Sequence, residues 1–109
     1  MAELNSIIHQ PARLRIMAAL NALDRRSQID FSALSSMLEL TDGNLGAHLQ
    51  TLEAAGHVKM EKKFVDRKPR TLICITRKGR NEFDEHVAAL EEIILQAKSE
   101  KDRSGKTTR

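Results

Sequence analysis

The sequence predicts a mainly helical α+β chain with one small β-hairpin: a helix-turn-helix, then the hairpin, then a long closing helix. Three observations predict it. With Leu45 at zero on a helical wheel, Leu49 and Leu52 fall within about 40° of it, so residues 42–55 form an amphipathic helix that Gly56 stops. HVKMEKKF (57–64) then alternates and TLICI (71–75) returns after VDRKPR, the pattern of two half-buried strands joined by a turn. Finally, Phe83, Val87, Leu90, Ile94 and Ala97 recur at heptad-like spacing in one last helix, 77–97.

Composition sets the bounds. A chain of 109 residues, 40% apolar and 30% charged, holds one small domain with a single core. It has no Trp or Tyr and three Phe, so aliphatic side chains must build that core. No apolar run approaches the roughly 18 residues of a membrane span, and no signal-peptide pattern opens the chain. The lone cysteine excludes an internal disulfide and agrees with a reducing interior, so a cytoplasmic protein without a membrane partner is expected. Charge is segregated. Residues 1–57 carry four bases and six acids, 58–80 nine bases and two acids, 81–97 five acids and no base. A protein of net charge +3 that gathers its cations on one hairpin points to a polyanionic partner.

In chain order, residues 3–9 read as a short helix with Leu4, Ile7 and Ile8 on one side. Pro11 suits the first turn of a second helix whose stripe is Leu14, Met17, Ala18 and Leu20 or Ala22. Arg13 and Arg15 point away from that stripe as solvated or ion-paired groups. DRRSQ (24–28) reads as a loop, and Asp30 as N-cap of a third helix with core positions Phe31, Leu34 and Leu38. After a tight turn near Leu40, Thr41 caps the helix over 42–55, and Asp42 sits favourably at its positive end. The outward side of that helix, with Gly43, Asn44, Ala47, Gln50, Thr51 and Ala54, is small, polar and free of Lys and Arg. Such a face suits close approach to base edges, while the cationic hairpin beside it suits phosphates. Gly43 and Gly46 each lower helix propensity by about 1 kcal/mol relative to Ala. Either a partner approaches closely there, or Gly43 lies in a frayed turn and Gly46 packs on the preceding helix. Lys62, Lys63, Arg67, Lys68 and Arg70 charge the hairpin over 62–71, and Pro69 suits an edge or tip. Thr76 caps the closing helix. Arg77, Lys78 and Arg80 lie against the positive end of its dipole, which a bound phosphate would favour and simple solvent exposure would also explain. The seam of Phe83, Val87, Leu90 and Ile94, with Leu4, Ile7 and Ile8, is expected to serve a homodimer in part. The domain is read as 1–97, and residues 98–109 as a basic disordered tail.

PARLRIMAAL, TDGNLGAHLQTLEAAGHV, KKFVDRKPRT and ITRKGRNEF, in that order over roughly residues 5–95, resemble small bacterial and archaeal winged-helix transcriptional regulators of the MarR/ArsR-like superfamily. The resemblance implies a winged helix-turn-helix with a C-terminal dimerisation helix, bound to double-stranded DNA as a homodimer. The helix over 42–55 would enter the major groove, and the wing over 62–71 would lie on the backbone or minor groove. Thr41, Asn44, Ala47, His48 and Thr51 match positions where relatives contact DNA, and Arg67, Lys68 and Arg70 match the wing. Where the family often has Ser and then Arg, this chain has Gly46 and Ala47. Losing an arginine–guanine contact removes roughly 1–3 kcal/mol of discrimination, though Ala47 suits a thymine methyl. His48, at the edge of the buried stripe, is read as a phosphate donor.

An enzyme is hard to build from these residues. His9, His48, His57 and His86 are scattered, Cys74 sits in an apolar strand as a small core residue, and no phosphate loop or nucleophile motif occurs. No catalytic residue, metal ligand or cofactor is therefore expected, and the sequence names no small-molecule effector. The alternative reading is a winged-helix module that docks another protein rather than DNA.

Overall fold

The computed structural model describes residues 3–24 and 27–107, with side chains to Asp102. Four helices and three strands follow one another as α1 (Pro11–Asn21), β1 (Ile29–Asp30), α2 (Phe31–Leu38), α3 (Asp42–Ala54), β2 (Val58–Val65), β3 (Lys68–Ile75) and α4 (Arg77–Thr107). The strands form one antiparallel sheet in the order β1-β3-β2. This is the winged helix fold that the sequence predicts.

Ahead of α1 the chain makes turns rather than a helix. The Asn5 side-chain oxygen accepts the amides of Ile7 and Ile8, at 2.9 and 3.1 Å, and the Asn5 carbonyl accepts the His9 amide. An Asn that offers its own oxygen to the following amides competes with helix formation. The turn drives Ile8 into the core, where it is fully buried beside Ile16, Met17, Leu20, Leu34, Leu45, Leu49, Leu52 and Ile73. On α1 the buried positions are Ile16, Met17 and Leu20; Leu14 is half-buried, and Ala18 and Ala22 are exposed. The buried stripe is therefore rotated from the expected one, with Ile16 and not Ala18 in the core. The 24–28 loop holds residues 25 and 26, which lie outside the described residues.

The turn between α2 and α3 is built by tertiary capping. Glu39 adopts a left-handed conformation (φ 55°), and the Leu40 amide reaches back to the Ser35 carbonyl. Buried Ser35 sets its hydroxyl 2.6 Å from the Leu40 carbonyl and 3.1 Å from Asp42 Oδ1, two acceptors for one proton. Arg15 is exposed, as expected, and also donates to the Leu38 carbonyl at 2.7 Å, so it closes the C-terminus of α2.

Strand β1 was not foreseen, since two residues carry no periodicity; Ile29 and Asp30 pair with Ile73 and Leu72. Asp30 does stand at the N-cap of α2, yet its carboxylate makes no cap hydrogen bond and instead takes Arg70 at 2.6 Å. The hairpin is tighter than expected. Only Asp66 and Arg67 form the turn, both at positive φ (51° and 67°), as a two-residue type I′ connection requires. Lys68, Pro69 and Arg70 belong to β3, and Pro69 pairs with Phe64 beyond the reach of β1, where one edge of β3 is open and no donor is needed.

Helix α4 departs most from expectation. Its first turn is capped by Thr76, whose hydroxyl oxygen accepts the Gly79 amide at 2.9 Å. Lys78 donates to the Ala55 carbonyl at 2.9 Å, and Arg80 to the carbonyls of Asn21 and Leu23 at 3.1 Å. Lys78 and Arg80, two of the three cations at the positive end of the dipole, thus close the C-termini of α3 and α1, where positive charge meets free carbonyls. Gly79 is required there, because an added Cβ would lie 2.1 Å from the His57 carbonyl oxygen. The helix then continues through residues 98–107, which were expected to be disordered; residues 108 and 109 lie outside the described residues. Gln96, Lys98, Glu100 and Lys101 are good helix formers, and Lys98 and Asp102 stand one turn apart, so local propensity carries the helix on. Its projection gives the molecule a long axis of 67 Å against 26 and 23 Å.

Candidate nucleic-acid interface

Leu45, Leu49 and Leu52 are fully buried and hold α3 against the core, which leaves its opposite face outward. Thr41, Gly43, Asn44, Ala47, Gln50 and Ala54 are exposed, and His48 and Thr51 are half-buried at the margins. Thr41 Oγ1 accepts the Asn44 amide at 3.2 Å as the N-cap, which leaves its hydroxyl proton available. Thr51 bonds back to the Ala47 carbonyl at 3.3 Å, which leaves an acceptor lone pair outward. The Asn44 side chain has no partner among the described residues. An added Cβ at Gly43 or at Gly46 meets nothing within 4 Å, so Gly46 does not pack on the preceding helix.

His48 is set by α1. Arg13 Nη1 lies 3.2 Å from His48 Nδ1, and Arg13 Nε donates to the Ile7 carbonyl. An arginine only donates, so Nδ1 is the acceptor and the proton sits on Nε2. That tautomer leaves the Nε2 N–H without a partner among the described residues. Arg13, read as a solvated residue, is thus the group that orients His48.

The wing is tied to α3 at one point and to the helical body at another. The Met60 amide donates to Glu53 Oε2 at 3.1 Å, joining β2 to the last turn of α3. Arg70 and Asp30 form the second tie, with Arg70 45% exposed and Asp30 22%. Arg70 is therefore largely neutralised and braces the wing. Lys63 stands 3.8 Å from Glu61 with both groups half-exposed, a contact of little worth in water. Lys62, Arg67 and Lys68 are exposed and have no carboxylate partner among the described residues. The hairpin thus offers three uncompensated cations at its far end.

Three of the four histidines that looked scattered, His9, His57 and His86, are linked through Asn5 and Glu82. His86, fully buried, accepts the Asn5 amide on Nδ1 at 2.9 Å, and its Nε2 lies 3.3 Å from His9 Nδ1. His57, 2% exposed, has Nδ1 3.0 Å from Glu82 Oε2, but off the direction a hydrogen bond needs. Burial depresses both imidazoles below the usual histidine value; His9 adds to the effect at His86, while at His57 Glu82 opposes it and Lys78 reinforces it. Asn5 Nδ2 reaches Glu82 Oε2 at 3.3 Å and links the two sites. Among the described residues no group of three His, Cys, Asp or Glu is placed to hold a metal ion. Glu82 and His86 pin the N-terminal segment and the α3–β2 junction to α4.

The residues assigned to a dimer seam divide. Ile8 and Phe83 are in the core, and Ile7 and Val87 pack partly against it, because the proximal half of α4 is needed to close this small domain. Leu4 is 38% exposed and Ile94 50%, and beside them Ile93 and Leu95 are 49% and 64% exposed, two positions the heptad spacing passed over. Leu90 is half-buried.

The sequence model of a family described as a winged helix DNA-binding domain matches residues 12–94. An uncharacterised protein of Methanocaldococcus jannaschii is 37% identical over 81 residues, covering 74% of this chain and 85% of that protein. Among solved structures, a transcriptional regulator homologue from Pyrococcus horikoshii aligns with a TM-score of 0.76 and 37% identity over 84% of this chain and 87% of that one. MepR of Staphylococcus aureus, solved in complex with DNA, aligns with a TM-score of 0.67 and 14% identity over 94% of this chain and 83% of that one, a likeness of fold.

Proposed function

Because this chain belongs to the winged helix DNA-binding domain family, we propose that it is a transcriptional regulator that binds specific duplex DNA as a homodimer. The observation that carries this reading is the outward face of α3: exposed, uncharged and small, fixed through Glu53 and Met60 beside a wing with three unpaired cations. In the proposed complex α3 lies in the major groove. Asn44 supplies an amide able to pair with adenine, and Ala47 a methyl able to touch thymine. Thr41, Gly43 and Thr51 line the approach, and His48 donates from Nε2 to a phosphate. Lys62, Lys63, Arg67 and Lys68 neutralise the backbone on either side of the wing tip, with Arg70 as their brace.

The second copy docks along α4. From residue 91 to 102 every described side chain on α4 is exposed, and an isolated helical arm of that length is marginal in water. Ile93, Ile94 and Leu95 are consecutive and so spread over about 200° of the helix, too wide an arc for one neighbouring helix. Leu90, Ile93, Ile94 and Leu95, with Leu4, therefore meet more than one element of a partner copy. A dimer built this way presents two α3 helices to successive major grooves.

Fluorescence anisotropy with labelled duplexes tests the reading. If about six phosphates are neutralised per site, log affinity against log salt should fall with a slope near −5. Sequences selected from a random pool should show two half-sites in inverted repeat. A flat salt response with no enriched sequence would instead favour a protein-docking module.

A further inference from the structure

Phe64 is 79% exposed at the far end of β2, although Phe83 is buried and Phe31 packs against the core. Alternation places Phe64 on the strand face of Val58 and Met60, the face that covers the core nearer the body. Pro69 is its cross-strand partner, and Val65 beside it is 41% exposed. The fold therefore gains nothing from this apolar tip, which sits among Lys62, Arg67 and Lys68. Cations around an apolar point suit a groove walled by phosphates better than a protein surface. The reach is also right. Phe64 lies four residues beyond Met60, where Glu53 fixes the strand to α3, or about 13 Å. A major groove is about 12 Å wide, so with α3 in that groove the tip arrives at the minor groove next to it.

We propose that Phe64, backed by Pro69, is a wedge that the wing presses between base steps in the minor groove flanking each half-site, bending the duplex there. This rests on the regulator reading above and adds a specificity element to it. Pyrimidine–purine steps unstack easily and A-tracts resist, so the flank would be selected by deformability without a hydrogen bond to any base. The test uses duplexes that the parent protein selects from a random pool, resynthesised with either a TA step or an A-tract at the flank. Bending is read by energy transfer between end labels, and affinity by anisotropy. The parent should bend the TA-flanked duplex and prefer it roughly tenfold. Phe64→Ala should lose both properties with an unchanged salt slope, and Phe64→Leu should keep most of both. Equal bending and flank preference in Phe64→Ala would overturn the wedge, as would an unbent parent complex. Loss of dimer in Phe64→Ala by sedimentation would make the ring a contact between copies and overturn it too. Failure of the parent to enrich any sequence would strike the regulator reading itself.

Discussion

Replacing Gly43 or Gly46 with alanine should move stability and DNA affinity in opposite directions. Inside a helix, glycine is worse than alanine by about 0.8–1.0 kcal/mol. At Gly46 an added Cβ meets nothing within 4 Å, so no overpacking opposes the gain, and Gly46→Ala should stabilise by about 1 kcal/mol. Gly43 lies in the first turn of α3, so its gain should be about half that. For a domain of this size, 1 kcal/mol corresponds to about 4–8 °C in melting temperature, readable by circular dichroism at fixed protein concentration. On the wheel Gly43 stands about 160° from Leu45, at the centre of the outward face, and Gly46 about 100° away, at its rim. A methyl group at the centre should hold the helix off the groove floor, with a penalty of about 1–3 kcal/mol, or roughly 5- to 150-fold in affinity. Gly46→Ala should weaken binding less. Two results would refute the reasoning. A lower melting temperature in Gly46→Ala would mean that the site is not open, and unchanged operator affinity in Gly43→Ala would mean that close approach does not explain the glycine.

The remaining expectations concern the joints of the molecule. Gly79→Ala should destabilise by about 3 kcal/mol, because the Cβ would collide with the His57 backbone; chemical denaturation reads this, and a native-like midpoint would contradict the contact. Arg67→Gly should stabilise the hairpin by about 1 kcal/mol through relief of its left-handed backbone, yet weaken binding to all DNA sequences alike and flatten the salt slope by about one unit. Because burial holds His57 and His86 below about 6.5, the unfolded chain takes up protons there before the folded chain does. Stability from these groups is therefore present above that value and is lost as pH falls through it toward their folded values. Melts from about pH 7.5 to about 5.5 should show the decline, and His86→Gln should make it shallower.

Periodicity and cap chemistry were enough to find the three buried leucines of α3, the Thr41 and Thr76 caps and the hairpin, because each of these is fixed within a stretch of 18 residues (Val58–Ile75) or fewer. What escaped sequence reading is fixed by partners far away in the chain. Arg15, Lys78 and Arg80 look like surface cations until the helix ends they close are in place. His57 and His86 look isolated because their partners are Glu82, Asn5 and His9, up to 81 residues distant. Asn5 misled in the other direction, since a helical spacing of Leu4, Ile7 and Ile8 also fits a turn that its side chain organises. On the outward face of α3, exposure of Thr41, Gly43, Asn44 and Ala47 agreed with expectation, while the bracing role of Arg70 depended on β1, a strand too short to announce itself.

The clasp at residues 76–80 couples two devices that are usually adjusted separately. Thr76, Lys78 and Gly79 grip the carbonyl end of α3, and Arg80 grips that of α1, all from the first turns of the projecting rod. These contacts join the root of the rod to α3 and α1, so a tilt of the rod is passed on to α3. In the proposed dimer, any agent that wedges the two copies apart at the distal arms would therefore retune the pitch between their α3 helices without touching either one.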